Sequence, residues 1–371
     1  MRPIKTPGNK TASRRTRQEN AAYCPPEGQG RDLRLDFLRI IATFAVVWLH
    51  VSAEVVVTNP GLRNVEWWYG NVADSLSRWC VPVFVMISGG LLLSQPDKPK
   101  LFEFYRHRAA KVLPPLLFWT VFYIGFRTYF QTPLDIVAVA TSLVRGKPYY
   151  HLWYLYMVIG LYVFTPFLRQ LVAASRPQLL NAFIVVCFLL ASVEAVLTAL
   201  KDTEPASFLG MFPPFVAYFV SGFAMRIRPV TVSLCAAFTS VMGCTALISL
   251  GTGFLFPVLG PKSWKVMYSY LNPFVIVMSL VIYQFVVGFR ASFEVGTNNN
   301  SNGWVQNLSA ITLGIYCIHP FWIAILDRWG LNAASVHPAL GIPLLSLSAF
   351  ALSAGSAALL SLIPYVRAAV K

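Results

Sequence analysis

Apolar runs of about 20 residues recur along the whole chain, and about 20 residues is the length a helix needs to cross a bilayer. Lipid offers nothing to satisfy backbone N–H and C=O groups, so each run has to be helical and the runs have to pack on one another. Candidate spans fall at 37–57, 72–94, 107–129, 151–171, 178–200, 208–226, 230–253, 270–290, 304–326 and 338–364. The expected fold is therefore all-α, a polytopic membrane bundle of about ten helices. Residues 1–36 differ in kind: Arg14, Arg15 and Arg17 are followed by Pro25, Pro26, Gly28 and Gly30, which cannot bury a core. That stretch reads as a disordered basic tail. No apolar segment with a small-residue cleavage site precedes the first run, so the first run reads as an uncleaved span.

Charge gives the orientation. Only 12% of residues are charged, about half of what a soluble chain carries, yet the formal net charge is +15. In a soluble protein that excess would suggest nucleic acid; in a membrane protein it follows from Lys and Arg collecting in cytoplasmic loops. With ten spans, 21 of the 30 Lys and Arg residues lie on the tail's side and 9 on the other. The expectation is that both termini and the 95–108 connection are cytoplasmic, and that the 58–71 and 131–150 connections are external. Aromatic groups at Trp67, Trp68, Tyr69, Tyr149, Tyr150, Trp264, Tyr268 and Tyr270 read as rings lying against the outer surface.

Several chemistries lack their motifs. There is no P-loop, GxGxxG, G-x-S-x-G or HExxH, and the six cysteines (24, 80, 187, 235, 244, 317) show no metal-ligand spacing. No metal site is expected, and the cysteines read mostly as small core residues. No internal repeat is visible.

What remains is charge inside the spans, which costs about 2.5–3.5 kcal/mol per group and so marks candidate function. At 100° per residue, Asp36, Arg39, Thr43, His50 and Glu54 all project within about 40° of one face of the first helix. Arg39 and His50 are about 16 Å apart along the axis, one near the cytoplasmic boundary and the other near mid-bilayer. An intramembrane His can also be no more than a helix-to-helix hydrogen bond. A second cluster, Arg106-His107-Arg108 through Lys111, runs into the third span. It reads either as a cytoplasmic anchor or as a pair of guanidiniums suited to bidentate phosphate recognition.

Arg39-x10-His50, Val83-Phe84-Val85-Met86-Ile87-Ser88-Gly89-Gly90, Arg106-x-Arg108 and Gly314-Ile315-Tyr316-Cys317-Ile318-His319-Pro320, in that order, resemble the acyltransferase 3 family of bacterial membrane enzymes. The stretch from His151-Leu152-Trp153-Tyr154-Leu155-Tyr156 to Thr165-Pro166-Phe167-Leu168 looks most like the surface-polysaccharide branch, which includes enterobacterial common antigen O-acetyltransferases. The usual aromatic after Ser-Gly is Gly90 here. The resemblance implies a catalytic domain over 37–366 in the cytoplasmic (inner) membrane. It also implies transfer of an acyl group, usually acetyl, from acyl-CoA to a hydroxyl of a polymeric or lipid-linked glycan.

On that reading Arg39, Arg106 and Arg108 hold the CoA phosphates, and His50 acts as general base or carries an acyl-His intermediate, with Glu54 fixing its tautomer. Ser88, Trp153, Tyr156, His319 and Asp36 are secondary candidates for substrate contact. Ser88 reads more readily as a packing hydroxyl, the two aromatics equally as an interfacial belt, and His319 also as a local response to Pro320. Acyl-CoA is a donor substrate and no resident cofactor is implied. Expected partners are the glycan acceptor and membrane lipids, with no nucleic acid. The rival class is a secondary transporter or flippase, using the same residues as a proton relay and substrate charge pair.

Overall fold

The computed structural model describes residues 31–58, 64–95, 100–130, 135–203, 206–289 and 303–371. Tail residues 1–30 lie outside them. The described chain is helical throughout, without a strand. The elements are α1 (Leu33–Thr58), α2 (Val65–Ser77), α3 (Cys80–Leu92), α4 (Leu101–Phe130), α5 (Ile136–Val144), α6 (Trp153–Ala174) and α7 (Pro177–Lys201). They continue with α8 (Val216–Ile227), α9 (Leu234–Leu259), α10 (Lys262–Met267), α11 (Pro273–Gly288), α12 (Gly303–Ala310), α13 (Thr312–Arg328), α14 (Pro338–Leu360) and α15 (Arg367–Val370).

Among the described residues, eight helical stretches are long and apolar enough to span a bilayer, and α12 with α13, bent by 60°, makes a ninth if counted as one span. The remaining expected span, the eighth along the chain at 270–290, is α11, whose 16 residues reach about 24 Å at 1.5 Å each, short of the ~30 Å hydrocarbon core. The protein is thus a multi-pass membrane protein, with eight or nine clear spans where about ten were expected. The first helix begins at Leu33, so Asp36 belongs to the bundle and not to the tail.

α1 is the central post and packs against α2, α3, α11, α12, α13 and α14. Its neighbour α3 crosses α8 with the backbones touching. A Cβ on Gly89 would sit 1.8 Å from the Phe219 carbonyl oxygen, and one on Gly222 1.9 Å from that of Met86. Small residues let helices approach this closely where lipid gives no hydrophobic drive. Gly90 and Ser88 flank the crossing, so part of the Ser-Gly-Gly signature is a packing device. Gly89→Ala is expected to destabilise the purified protein by at least the ~1–3 kcal/mol of an overpacked core, read as a lowered thermal midpoint in detergent.

Two expectations about cysteines and rings change. Cys80, Cys244 and Cys317 are buried, but Cys187 is half-buried and Cys235 exposed. Trp67 is not a surface ring; it is 2% exposed inside α2. The connection 145–152 folds inward, burying Tyr149 and His151 within the bundle. The orientation itself is checked by impermeant thiol labelling of intact cells in a cysteine-free background. A Cys at Asp135 should label and one at Lys100 should not; the reverse pattern would invert the topology.

Candidate functional site

Three histidines from three parts of the sequence meet in the bundle. His50 of α1 stacks on His319 of α13, with ring centroids 5.2 Å apart and planes 26° apart, and His151 meets His319 edge-on at 5.5 Å. Tyr150 lies edge-on to His50 at 4.9 Å. Tyr316 and Tyr123 complete the walls; the Tyr316 hydroxyl donates to the His151 carbonyl and the Tyr123 hydroxyl to the Cys317 carbonyl at 2.7 Å.

Pro320 explains the pose of His319. Lacking an N–H, it leaves the Tyr316 carbonyl, four residues back, without its helical donor. His319 Nδ1 fills that role at 2.6 Å. A carbonyl can only accept, so Nδ1 carries the proton and Nε2 keeps its lone pair. That Nε2 is buried and has no hydrogen-bond partner in the protein, and the buried ring of His151 lies next to the Cys317 carbonyl. The local reading of His319 therefore holds for one nitrogen and leaves the other beside His50. The rings stack instead of converging, and among the described residues no group of His, Cys, Asp and Glu is arranged to hold a metal ion.

Tyr150 is 47% exposed. His50, Trp153, Tyr154, Tyr162, Ser88, Arg39 and Arg108 are half-buried. Among the described residues His50 meets Tyr150 and His319 by ring contact and by no hydrogen bond.

Arg39 stands near the N-terminal end of α1, paired with Asp36 at 3.3 Å. Asp36 is 3% exposed, also pairs with Arg31, and accepts from Ser309 Oγ at 2.7 Å. It is therefore a buried counter-charge that holds Arg39, and its oxygens are occupied by protein; a substrate contact does not follow. Tyr154, Tyr162 and Lys111 lie within electrostatic reach of Arg39.

The two other arginines part company. Arg108 is half-buried over the Phe104 ring at 5.6 Å, within reach of Tyr162, with Nε unpartnered. Arg106 is exposed. Residues two apart on a helix point about 200° from one another, so a single face cannot present both. Arg169, over the same Phe104 ring at 5.0 Å, joins Arg108 instead.

Other candidates also separate. Ser88 lies within hydrogen-bonding reach of Tyr162. Trp153 stacks on Tyr270 at 5.7 Å, whereas Tyr156 is buried against Phe208 and Gly146, so the two form no shared platform. Glu54 makes no hydrogen bond to His50. It lines a small outer pocket of about 70 Å³ with Glu66, Asn64 and Asn332. One turn of helix carries it about 6 Å past the imidazole, and the tautomer-holding role has no contact behind it.

A family profile described as an acyltransferase domain matches residues 32–363, most of the chain. The chain belongs to the acyltransferase 3 family. No curated protein and no solved structure gave a significant match.

Within this acyltransferase the unanticipated residues are Tyr150, His151, Asp74 and Arg78. Asp74 and Arg78 obey the same rule that singled out α1, being ionisable, intramembrane and one turn apart. His151 and Tyr150 carried no such signal, because a tyrosine pair and a histidine at the end of a connection also fit a surface loop.

Proposed function

We propose that this acyltransferase moves an acyl group, acetyl in the first instance, from cytoplasmic acyl-CoA to a hydroxyl of a cell-surface polysaccharide or its lipid-linked precursor. On this reading it works in the bacterial inner membrane with both termini cytoplasmic. The observation that carries the reading is a half-buried imidazole, stacked on His319, on the same face of α1 as Arg39 and about 16 Å from it along the helix.

CoA has phosphates at one end and a thin pantetheine arm ending in the thioester. The guanidiniums suit the first, and the separation of about 16 Å between Arg39 and His50 by helix rise suits the second. The acceptor oxygen attacks the thioester carbon while His50 takes its proton. An oxygen–carbon bond forms, the carbon–sulfur bond breaks, and the thiolate leaves with the proton returned by the imidazolium. Stacking of His319 on His50 fixes the ring plane, and Asp36 fixes Arg39.

Purified protein given radiolabelled acetyl-CoA and membrane glycolipid, with no ion gradient, should yield labelled ester. Absence of ester, with gradient-dependent glycan movement into vesicles, would establish the transporter reading in its place.

A further inference from the structure

At the N-terminal end of α1, where α8 and α11 also end, lies a polar pocket that this mechanism does not use. It has a volume of about 190 Å³, and its lining includes Asp32, Arg34, Arg226, Thr231, Val287 and Gly288. One water needs only ~10–15 Å³, so a tetrahedral anion has room here. Arg34 is matched with Asp32 through Nε at 3.1 Å and Nη2 at 3.2 Å, and its Nη1 donates to the Val287 carbonyl at 3.0 Å. Arg226 is the cation left over. It is half-buried and meets no carboxylate among the described residues, whereas Arg39 and Arg78 have Asp36 and Asp74.

Arg226 is held so that one edge of its fork stays open. Its Nη1 donates to the Gly90 carbonyl at 3.1 Å, an oxygen that also accepts from Ser94 Oγ at 2.6 Å. Glycine at position 90 lets the side chain lie there, since a Cβ would sit 3.3 Å from Arg226 Cδ and 2.5 Å from the Tyr283 hydroxyl oxygen. The bond to Gly90 uses one of the five N–H donors of the guanidinium. Nε and Nη2 have no protein acceptor among the described residues, and unlike the Nε atoms of Arg78 and Arg108 they are not sealed in. Those two nitrogens are the pair that grips two oxygens of one anion. Thr231 brings a hydroxyl to the same lining, so donors are at hand for all three terminal oxygens of a phosphate group. A half-buried guanidinium has lost part of its hydration, and an anion in the pocket compensates for that loss. Asp32 does not repel the anion, because two arginines against one aspartate leave the lining one positive charge. The lining elements are helix ends around the central post, so the anion arrives from water and not from the lipid.

We propose that this pocket is an anion site for a terminal phosphate group, gripped by the Nε–Nη2 edge of Arg226. Two water-soluble sources carry such a group, the ribose phosphate of CoA and free phosphate, and the first of them rests on the acyl-transfer reading above. The test compares the purified full-length parent with Arg226→Gln. If the group belongs to CoA, the parent should bind CoA roughly 10- to 100-fold more tightly than dephospho-CoA, which lacks that phosphate, and the variant should bind both alike, as expected for a lost hydrogen bond to a charged group. If the source is free phosphate, inorganic phosphate should raise the thermal midpoint of the parent and not of the variant at an ionic strength matched with chloride, with the same CoA preference in both proteins. Arg226→Lys, which keeps the charge and loses the edge, is the second variant should Arg226→Gln fail to fold, and the same response should shrink in it. A folded variant that keeps both the parental CoA preference and the parental response to phosphate overturns the site. A parent with neither response does so too. A parent that responds to inorganic phosphate but binds no CoA and makes no ester sinks the acyl-transfer reading and leaves the site standing, so the two failures are distinct.

Discussion

Replacing His50 with Ala should lower acyl transfer by roughly 10²–10⁴-fold, the usual contribution of a positioned general base. Acyl-CoA binding should persist, because the phosphate contact proposed at Arg39 lies about 16 Å from His50 along α1. Single-turnover transfer of labelled acetyl, set beside equilibrium binding of acetyl-CoA to the same preparation, separates the two quantities. Normal turnover in His50→Ala would reduce the polar stripe on α1 to packing and remove His50 from the chemistry. Glu54→Gln should have a much smaller effect on the same assay, since Glu54 makes no hydrogen bond to the imidazole and faces the outer pocket.

Arg108→Lys should weaken acetyl-CoA binding by roughly 10- to 100-fold, the range for a lost hydrogen bond to a charged group, because an ammonium cannot reproduce the planar fork. Arg106→Lys should leave affinity near the parental value. The contrast is the informative part. Both residues serve equally well as cytoplasmic anchors, so a purely topological cluster predicts two silent variants, and a phosphate clamp formed by both predicts two equal losses. Only the geometry in which Arg108 faces Tyr162 and Arg106 is exposed predicts one of each. Parental binding in both would return the whole cluster to an anchoring role.

The sequence by itself determined that this chain is a helical membrane bundle, because apolar runs of bilayer length leave the backbone no other choice. It also placed Arg39 and His50 on one face of α1, because the helical period converts spacing directly into direction. The same arithmetic, applied to Arg106 and Arg108, already forbids a shared face, although the Arg-x-Arg motif puts the two together. Asp74 and Arg78 were equally within reach of the rule about charge inside a span.

Only the tertiary structure decided the rest. Periodicity says which residues share a helix face, but not which neighbour that face meets. So it could not bring His319 onto His50 or turn the 145–152 connection inward to bury His151. Nor could it tell that α12 and α13 are bent by 60°, or that α11 is too short to count as a clear span. Those outcomes depend on contacts between segments one to nearly three hundred residues apart, made possible where Gly89 and Gly222 let two backbones touch, and no local pattern in the chain encodes them.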